Sequence, residues 1–313
     1  MSFFINKTVL VTGGNGFLGH YVVNRLKDAH CKDLFYPGSA EYNLVKESDI
    51  IKLYETTRPD IVIHLAAAVG GIGANQQNPG IFFYNNAIMG LQLIEQARIF
   101  NVKKFVTIGT TCCYPKKISV PYKEEDLWEG YPDEITGFYG MAKKMLLVQS
   151  TAYRKQYDFN SIFLMPSNLY GPYDNFDDNS SHVIPAIIKR FVNAKMSNTP
   201  SVVCWGTGEA TREFLYADDC AKGILLAAEH YNKSEPVNLG TGKEISIKTL
   251  TEKIKDITGY SGKIEWDHTK PEGQKRRYMD ASKAELYFGF RAETDIEKGL
   301  TETINWYTNY EYV

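Results

Sequence analysis

The sequence lacks what would mark a membrane, secreted or nucleic-acid-binding protein. Across 313 residues no uninterrupted apolar run reaches spanning length. The N-terminus shows neither the charged nor the apolar region of a signal peptide. The formal net charge is −2, so no basic footprint argues for nucleic acid or an anionic membrane. There are five cysteines, Cys31, Cys112, Cys113, Cys204 and Cys220. An odd count at scattered spacing argues against a disulfide framework, and a reducing cytoplasm is the expected location. The adjacent Cys112 and Cys113 form no C-x-x-C pair and the histidines show no zinc spacing, so no metal is expected. Internal repeats and low-complexity linkers are also missing.

What is present is an alternation. The composition, 43% hydrophobic and 23% charged, is that of a globular chain, and the length fits two joined lobes. Thr8–Thr12 is a β-branched run ending at glycines, and Gly16–Leu26 then takes helical apolar spacing. Asp33–Tyr36, Asp60–Leu65, Lys104–Ile108 and Ser161–Met165 read as further strands, and Ala66–Gly73 as a stretch of small residues. Helices are predicted near 80–100 and over 137–157. Strands alternating with helices predict an α/β, Rossmann-type doubly wound parallel sheet, whose ligands sit beyond the strand C-termini. The pattern loosens after Gly171-Pro172. Residues 1–170 are therefore expected to form a dinucleotide-binding domain, and 171–313 a smaller mixed lobe. Part of 212–240, with a helix at Ala217–His230 and a strand at Pro236–Leu239, is expected to return to the first.

Three motifs lie at that sheet edge. Gly13-x-x-Gly16-x-x-Gly19 follows a strand and opens a helix, which is where a pyrophosphate meets helix N-terminal amides. Tyr139 and Lys143, four apart on a helix, share a face where an ammonium can lower a phenol's pKa. Such a tyrosine can exchange a proton with a carbonyl or alcohol oxygen. Thr110 leaves the fourth strand with Cys112 close behind. The region after the second strand, Tyr36-Pro37-Gly38-Ser39, has neither the acid that favours NAD nor the arginine that accommodates the 2′-phosphate of NADP.

With these residues in place the chain resembles an extended short-chain dehydrogenase/reductase, nearly end to end. Ala66–Asn75, Thr110–Pro115, Pro166–Phe176 and Ser181–Pro185 narrow the likeness to the GDP-L-fucose synthase family. Members of that family epimerise C3 and C5 of a GDP-4-keto-6-deoxy sugar and reduce C4 with NADPH. The resemblance implies a catalytic set of Thr110, Tyr139 and Lys143, with Thr110 where the family usually has Ser. It implies Cys112 and His182 as the epimerisation base and acid. Beside the cofactor it places Gly13, Asn15, Gly16, Phe17, Leu18, Gly19 and Ser39. Leu65, Ala66, Ala67, Asn86, Pro166, Asn168 and Leu169 join them, together with Tyr139 and Lys143. Toward the GDP-sugar it places Val69, Gly70, Thr111, Asn168, Val183, Lys189, Trp205, Arg212 and Arg277. Arg212, Arg276 and Arg277 offer guanidinium forks for a diphosphate. A homodimer is expected on the same ground.

The chemistry fits the residue types. A 4-ketone acidifies the protons on C3 and C5, and a thiolate and an imidazole both titrate near neutrality. Two points stay open in the sequence. NADPH is the family's cofactor, but the missing arginines leave NADH possible. A C4-reductase acting on an already epimerised GDP-6-deoxy-4-keto hexose or heptose would need only the Tyr139 set. A 4,6-dehydratase is disfavoured because Thr111 and Cys112 stand where acidic groups would be needed. A dinucleotide sensor without catalysis should lack the Tyr/Lys pair.

Overall fold

The computed structural model describes residues 2–178, 180–269 and 273–311. The strands in chain order begin with β1 Thr8–Thr12, β2 Asp33–Phe35, β3 Ile61–His64, β4 Lys104–Ile108 and β5 Ser161–Pro166. β6 Asn168–Tyr170, β7 Ser201–Trp205, β8 Thr211–Arg212 and β9 Phe214–Tyr216 follow, then β10 Val237–Leu239, β11 Ile245–Ser246, β12 Lys263–Asp267 and β13 Arg276–Arg277. The helices are α1 Phe17–Asp28, α2 Glu47–Thr57, α3 Ile72–Gln77, α4 Pro79–Ile99, α5 Gly137–Tyr157 and α6 Val183–Met196. α7 Ala217–His230, α8 Ile247–Thr258, α9 Ser282–Phe288 and α10 Ile296–Glu311 complete them.

Six strands form one sheet in the order β10-β5-β4-β3-β1-β2. Every neighbouring pair is parallel. The alternation of side chains along each strand divides them between two cores. Val9, Val11, Ile61, Ile63, Val106 and Leu164 meet Val22 and Leu26 of α1 and Ile224 and Leu225 of α7. Leu10, Val62, Phe105 and Phe163 face the other way, onto Ile50 and Leu53 of α2, Leu93 and Ile94 of α4, and Leu146 and Leu147 of α5. Both faces are covered, so the strands read as nearly continuous apolar runs.

Two helices escape the sequence pattern. α2 has Lys46 at its N-cap and no side-chain cap bond, so its start carries no signal. A cap contributes about 1 kcal/mol. Burial of Ile50 and Leu53, each worth roughly 1.5–3 kcal/mol, outweighs that loss. α3 begins at Ile72, within the stretch of small residues, where no helix is predicted.

The remaining strands build small sheets: β11-β8-β13, β12-β7 and β6-β9. They surround a third core, where Ile184, Ile187, Ile188 and Phe191 of α6 meet Leu250 and Ile254 of α8 and Leu300 and Ile304 of α10. Among the described residues no helix is long and apolar enough to cross a membrane, and no cluster of three metal-ligating side chains occurs.

Candidate active site

The sheet's C-terminal edge assembles the site. β1 runs into Gly13, whose φ of 74° is left-handed. A Cβ on Gly13 would stand 2.7 Å from the Ala66 nitrogen, and one on Gly19 would stand 2.1 Å from the Gly13 oxygen. The turn therefore exists only because side chains are missing from it. Gly16 donates its N–H to the Gly13 carbonyl at 3.0 Å. It caps α1 without a side-chain bond, which leaves the first turn's amides, opened by Phe17 and Leu18, for a ligand. This cradle fits the pyrophosphate of a dinucleotide.

The loop after β3 lies against it. Leu65 donates its N–H to the Thr12 carbonyl at 3.0 Å, and Ala66 to the Thr12 hydroxyl at 3.4 Å. Beyond Ala67, Asn86 clamps the loop: its Nδ2 donates to the Ala68 carbonyl at 2.8 Å and its Oδ1 accepts from the Ala68 N–H at 3.1 Å. Asn86 is expected beside the cofactor, but its buried amide is spent on the backbone of this loop and on the Phe82 carbonyl of its own helix. Asn15 donates to the Tyr36 carbonyl at 3.3 Å, with Gly38 alongside and Ser39 exposed. Pro166 ends β5 in register with Leu239. Asn168 donates to the Glu213 carbonyl at 2.8 Å, and Leu169 packs on the first core.

β4 delivers Thr110, whose hydroxyl accepts the Cys112 N–H at 3.2 Å and caps a 3₁₀ turn over Thr111–Cys113. α5 presses directly on this turn. A Cβ on Gly140 would lie 2.0 Å from the Cys112 carbonyl oxygen, and the Cys113 thiol donates to the Gly140 carbonyl at 3.3 Å. Gly140 sits between Tyr139 and Lys143, so the closeness that its bare backbone permits brings Thr110, Cys112, Tyr139 and Lys143 together.

Their electrostatics differ in one respect from the sequence expectation. Tyr139 is not lowered. Burial, and then the Cys112 and Cys113 thiols, push its pKa well above the ordinary value. Lys143 is itself buried, which lowers it to about 8. At pH 7 the phenol is therefore a proton donor beside a mostly charged ammonium. The two cysteines diverge. Burial raises Cys113 to about 12. Burial also works against the Cys112 thiolate, yet the Arg277 guanidinium and then the Thr110 and Thr136 hydroxyls bring its pKa below the ordinary thiol value. Arg277 Nη2 donates to Cys112 Sγ at 3.5 Å.

On the far side, His182 caps α6 and Val183 opens it. The ring reaches solvent, but enough protein surrounds it that burial holds its pKa below the usual histidine value. The β3 loop touches this region. Gly71 donates its N–H to the Ser180 carbonyl at 3.1 Å, and Asn75 holds the Gly70 carbonyl at 2.8 Å. Val69 stays exposed. Arg212 donates to the Thr211 and Gln274 carbonyls, both at 2.7 Å.

Two basic side chains expected toward the sugar nucleotide are engaged within the protein. Lys189 pairs with Asp178 at 3.0 Å and donates to the Phe176 carbonyl at 3.1 Å. Consecutive helix residues point about 100° apart, and the next one, Arg190, lies over the Trp205 ring at 5.6 Å. The sequence reading missed Arg190, although the adjacent Lys-Arg pair was visible. Arg276 offers no open fork, because Glu244 takes its guanidinium in an ion pair.

The fold and site define a class. Residues 9–240 match the model of the NAD dependent epimerase/dehydratase family. The chain belongs to that family, within its GDP-L-fucose synthase-like branch. It is 38% identical over 300 residues to the probable GDP-L-fucose synthase 1 of Oryza sativa subsp. japonica, covering 96% of this chain and 91% of that one. Its structure is similar to a GDP-L-fucose synthetase from Naegleria fowleri bound to NADP, with a TM-score of 0.91, 30% identity and coverage of 100% and 97%. It is also similar to a GDP-6-OMe-4-keto-L-xylo-heptose reductase from C. jejuni, with a TM-score of 0.92, 27% identity and coverage of 97% and 98%.

Proposed function

We propose that this NAD(P)H-dependent oxidoreductase epimerises C3 and C5 of a GDP-linked 4-keto-6-deoxy sugar and then reduces C4. The observation that carries this reading is the meeting of two proton chemistries at one strand end. A thiol biased toward its thiolate, Cys112, stands beside a tyrosine held in its acid form, Tyr139. NADPH, when bound along the Gly13–Gly19 cradle, supplies the hydride for C4.

The chain's own residues do the rest. Cys112 takes a proton from C3 or C5, and the C–H electron pair moves onto the ketone oxygen as an enolate. His182 returns a proton to the opposite face of the carbon. Thr110 orients the C4 oxygen. Tyr139 protonates that oxygen as it becomes an alkoxide, while the Lys143 ammonium steadies the resulting phenolate. Arg212 faces the diphosphate, Arg277 stands at Cys112, and Trp205, backed by Arg190, offers a stacking face. Residues 1–170 with the returning part of 212–240 serve the dinucleotide, and the remainder of 171–313 serves the sugar nucleotide.

The relatives named for GDP-L-fucose synthesis support the combined reaction. The likeness to a GDP-heptose reductase favours a second reading, C4 reduction alone on an epimerised hexose or heptose. NADPH is the cofactor on family grounds. The group around Asn15 and Ser39 presents no carboxylate to repel a 2′-phosphate, and NADH remains a competitor. Free thiols at all five cysteines support a cytoplasmic setting. Exposed Ile81 and Tyr84 on α4 and Phe138 and Val148 on α5 support a homodimer through these helices.

The test is turnover of GDP-4-keto-6-deoxy-mannose in D2O with NADPH. Deuterium at C3 and C5 of a reduced product is expected. Cys112→Ser should still oxidise NADPH but yield an unepimerised C4 alcohol, because a serine hydroxyl is too weak a base for carbon. Reduction without deuterium uptake by the wild type would leave only the reductase.

A further inference from the structure

We infer that Arg277, held in place by Glu213, is the group that makes Cys112 a base. The inference rests on the epimerase reading for its purpose, but not for its geometry.

A thiol cannot take a proton from carbon; the thiolate must be present. An ordinary cysteine, with a pKa near 8.5, is only a few per cent thiolate at pH 7. Cys113, one residue along the same turn, has no guanidinium against it, and burial takes it up to about 12 even with Lys143 and Lys144 acting to lower it. Cys112 has the Thr110 and Thr136 hydroxyls beside it and, of the charged groups, Arg277. The Arg277 guanidinium reaches its sulfur at 3.5 Å. The other titratable groups against that sulfur are Tyr139 and Cys113, and either, if ionised, would oppose the thiolate. Asp133 and Tyr122 also interact electrostatically with Arg277. Arg277 Nε is buried with no hydrogen-bond partner, so its charge is not tied up there. When the Cys112 S–H ionises its proton leaves to solvent, and the guanidinium remains to balance the sulfur's charge.

A strand as short as β13, Arg276–Arg277, does not hold an arginine at that distance unaided. Glu213 does so from both ends. Its N–H donates to the Arg277 carbonyl at 3.2 Å, and its carboxylate accepts the Met279 N–H at 2.8 Å. The same carboxylate accepts the Gly242 N–H at 2.8 Å and the Thr241 N–H. This carboxylate is almost wholly buried, and its bonds are all to backbone or to the Thr241 hydroxyl. Its work is to fix the two loops around Arg277, which makes Glu213 a positioning residue.

The test is the pH profile of iodoacetamide alkylation at Cys112, with the modified cysteine identified by peptide mass. The midpoint is expected below the ordinary 8.5 in the wild type. Arg277→Met should move it up by at least about one unit, an approximately tenfold slower reaction at pH 7. Glu213→Gln should move it in the same direction by less, and Arg277→Lys should restore part of the shift. Cys31, partly exposed and distant in the fold, should keep its profile in every variant; a merely structural role would disturb both. A midpoint unchanged by Arg277→Met, or a wild-type midpoint at or above 8.5, overturns the inference. If neither substituted protein folds, the wild-type midpoint decides. Deuterium exchange run in parallel separates the two claims. Exchange with an unmoved midpoint removes Arg277 from the role and keeps the epimerase. A midpoint that moves, without exchange, keeps Arg277's effect and removes the epimerase.

Discussion

The two sides of the site are made of different material. On the side proposed for the dinucleotide the backbone does the work. Gly13, Gly16 and Gly19 expose amides and leave room, and Asn86 keeps the neighbouring loop in place by binding its main chain. On the side proposed for the sugar nucleotide charged and aromatic side chains stand instead: Arg277 against Cys112, Arg190 over Trp205, Arg212 folded onto two carbonyls. A backbone site depends on what is missing from a few consecutive positions. A side-chain site depends on long-range placement, and is correspondingly easy to retune.

Substitutions at the junction should separate the two sides most sharply. Tyr139→Phe removes the proton donor while keeping the ring, so reduction should fall on the order of 10²–10⁴-fold. Binding of NADPH, followed by fluorescence, and deuterium exchange at C3 and C5 should survive. Reduction within a few-fold of wild type would take Tyr139 out of its role.

Gly140→Ala attacks the seam itself. The new Cβ would collide with the Cys112 carbonyl, and such overpacking costs roughly 1–3 kcal/mol. Both reduction and exchange should slow together, with a lower melting temperature. If one reaction is spared, Gly140 does not join the two sides.

The third prediction uses pH. Lys143, lowered to about 8 by burial, loses its ammonium above that value, so reduction should decline about tenfold by pH 9. Stability should respond with the opposite sign. Between about 8 and 10.5 the unfolded chain binds the proton that the folded chain has released, so this group adds stability as pH rises through that window. Lys143→Met should flatten both profiles, measured by turnover and by thermal denaturation.

The smallest effect should come from the cofactor's adenosine end. Ser39→Arg adds a fork for a 2′-phosphate beside Asn15. It should raise the NADPH/NADH ratio of kcat/KM by up to about tenfold, or 1.4 kcal/mol. A wild-type preference for NADH beyond about 100-fold would contradict this account of that end.

The same contrast explains what could be read from the sequence. β1 at Thr8–Thr12, β4 at Lys104–Ile108, α5 at 137–157 and α7 at Ala217–His230 have the predicted limits, because their apolar patterning is local. The glycine turn and the Tyr139–Lys143 spacing are local too. α2 had a readable apolar face in Ile50, Leu53, Tyr54 and Thr57, but no cap announced it. The contact between Arg277 and Cys112 spans 165 positions and leaves no periodic trace. Nor could spacing show that Lys189 and Arg190 point apart, since that depends on which face of α6 meets the core. The raised phenol of Tyr139 was hidden for a similar reason, burial being a property of the packed helix.

The return of α7 and β10 to the central sheet has a consequence for assembly. Val106 of β4 and Ile162 and Leu164 of β5 lie in one core with Ile224 and Leu225 of α7, which packs on these two strands, and β5 gains its outer neighbour only with Val237–Leu239. A nascent chain emerging from the ribosome must therefore wait for residues beyond 200 before the N-terminal sheet can close. By then the segments that carry His182, Trp205 and Arg212 are already out of the exit tunnel. The chain's threading thus couples completion of the glycine cradle to arrival of the segments proposed to bind the sugar nucleotide. Truncation near residue 170 should leave an open, sticky sheet rather than a free-standing domain.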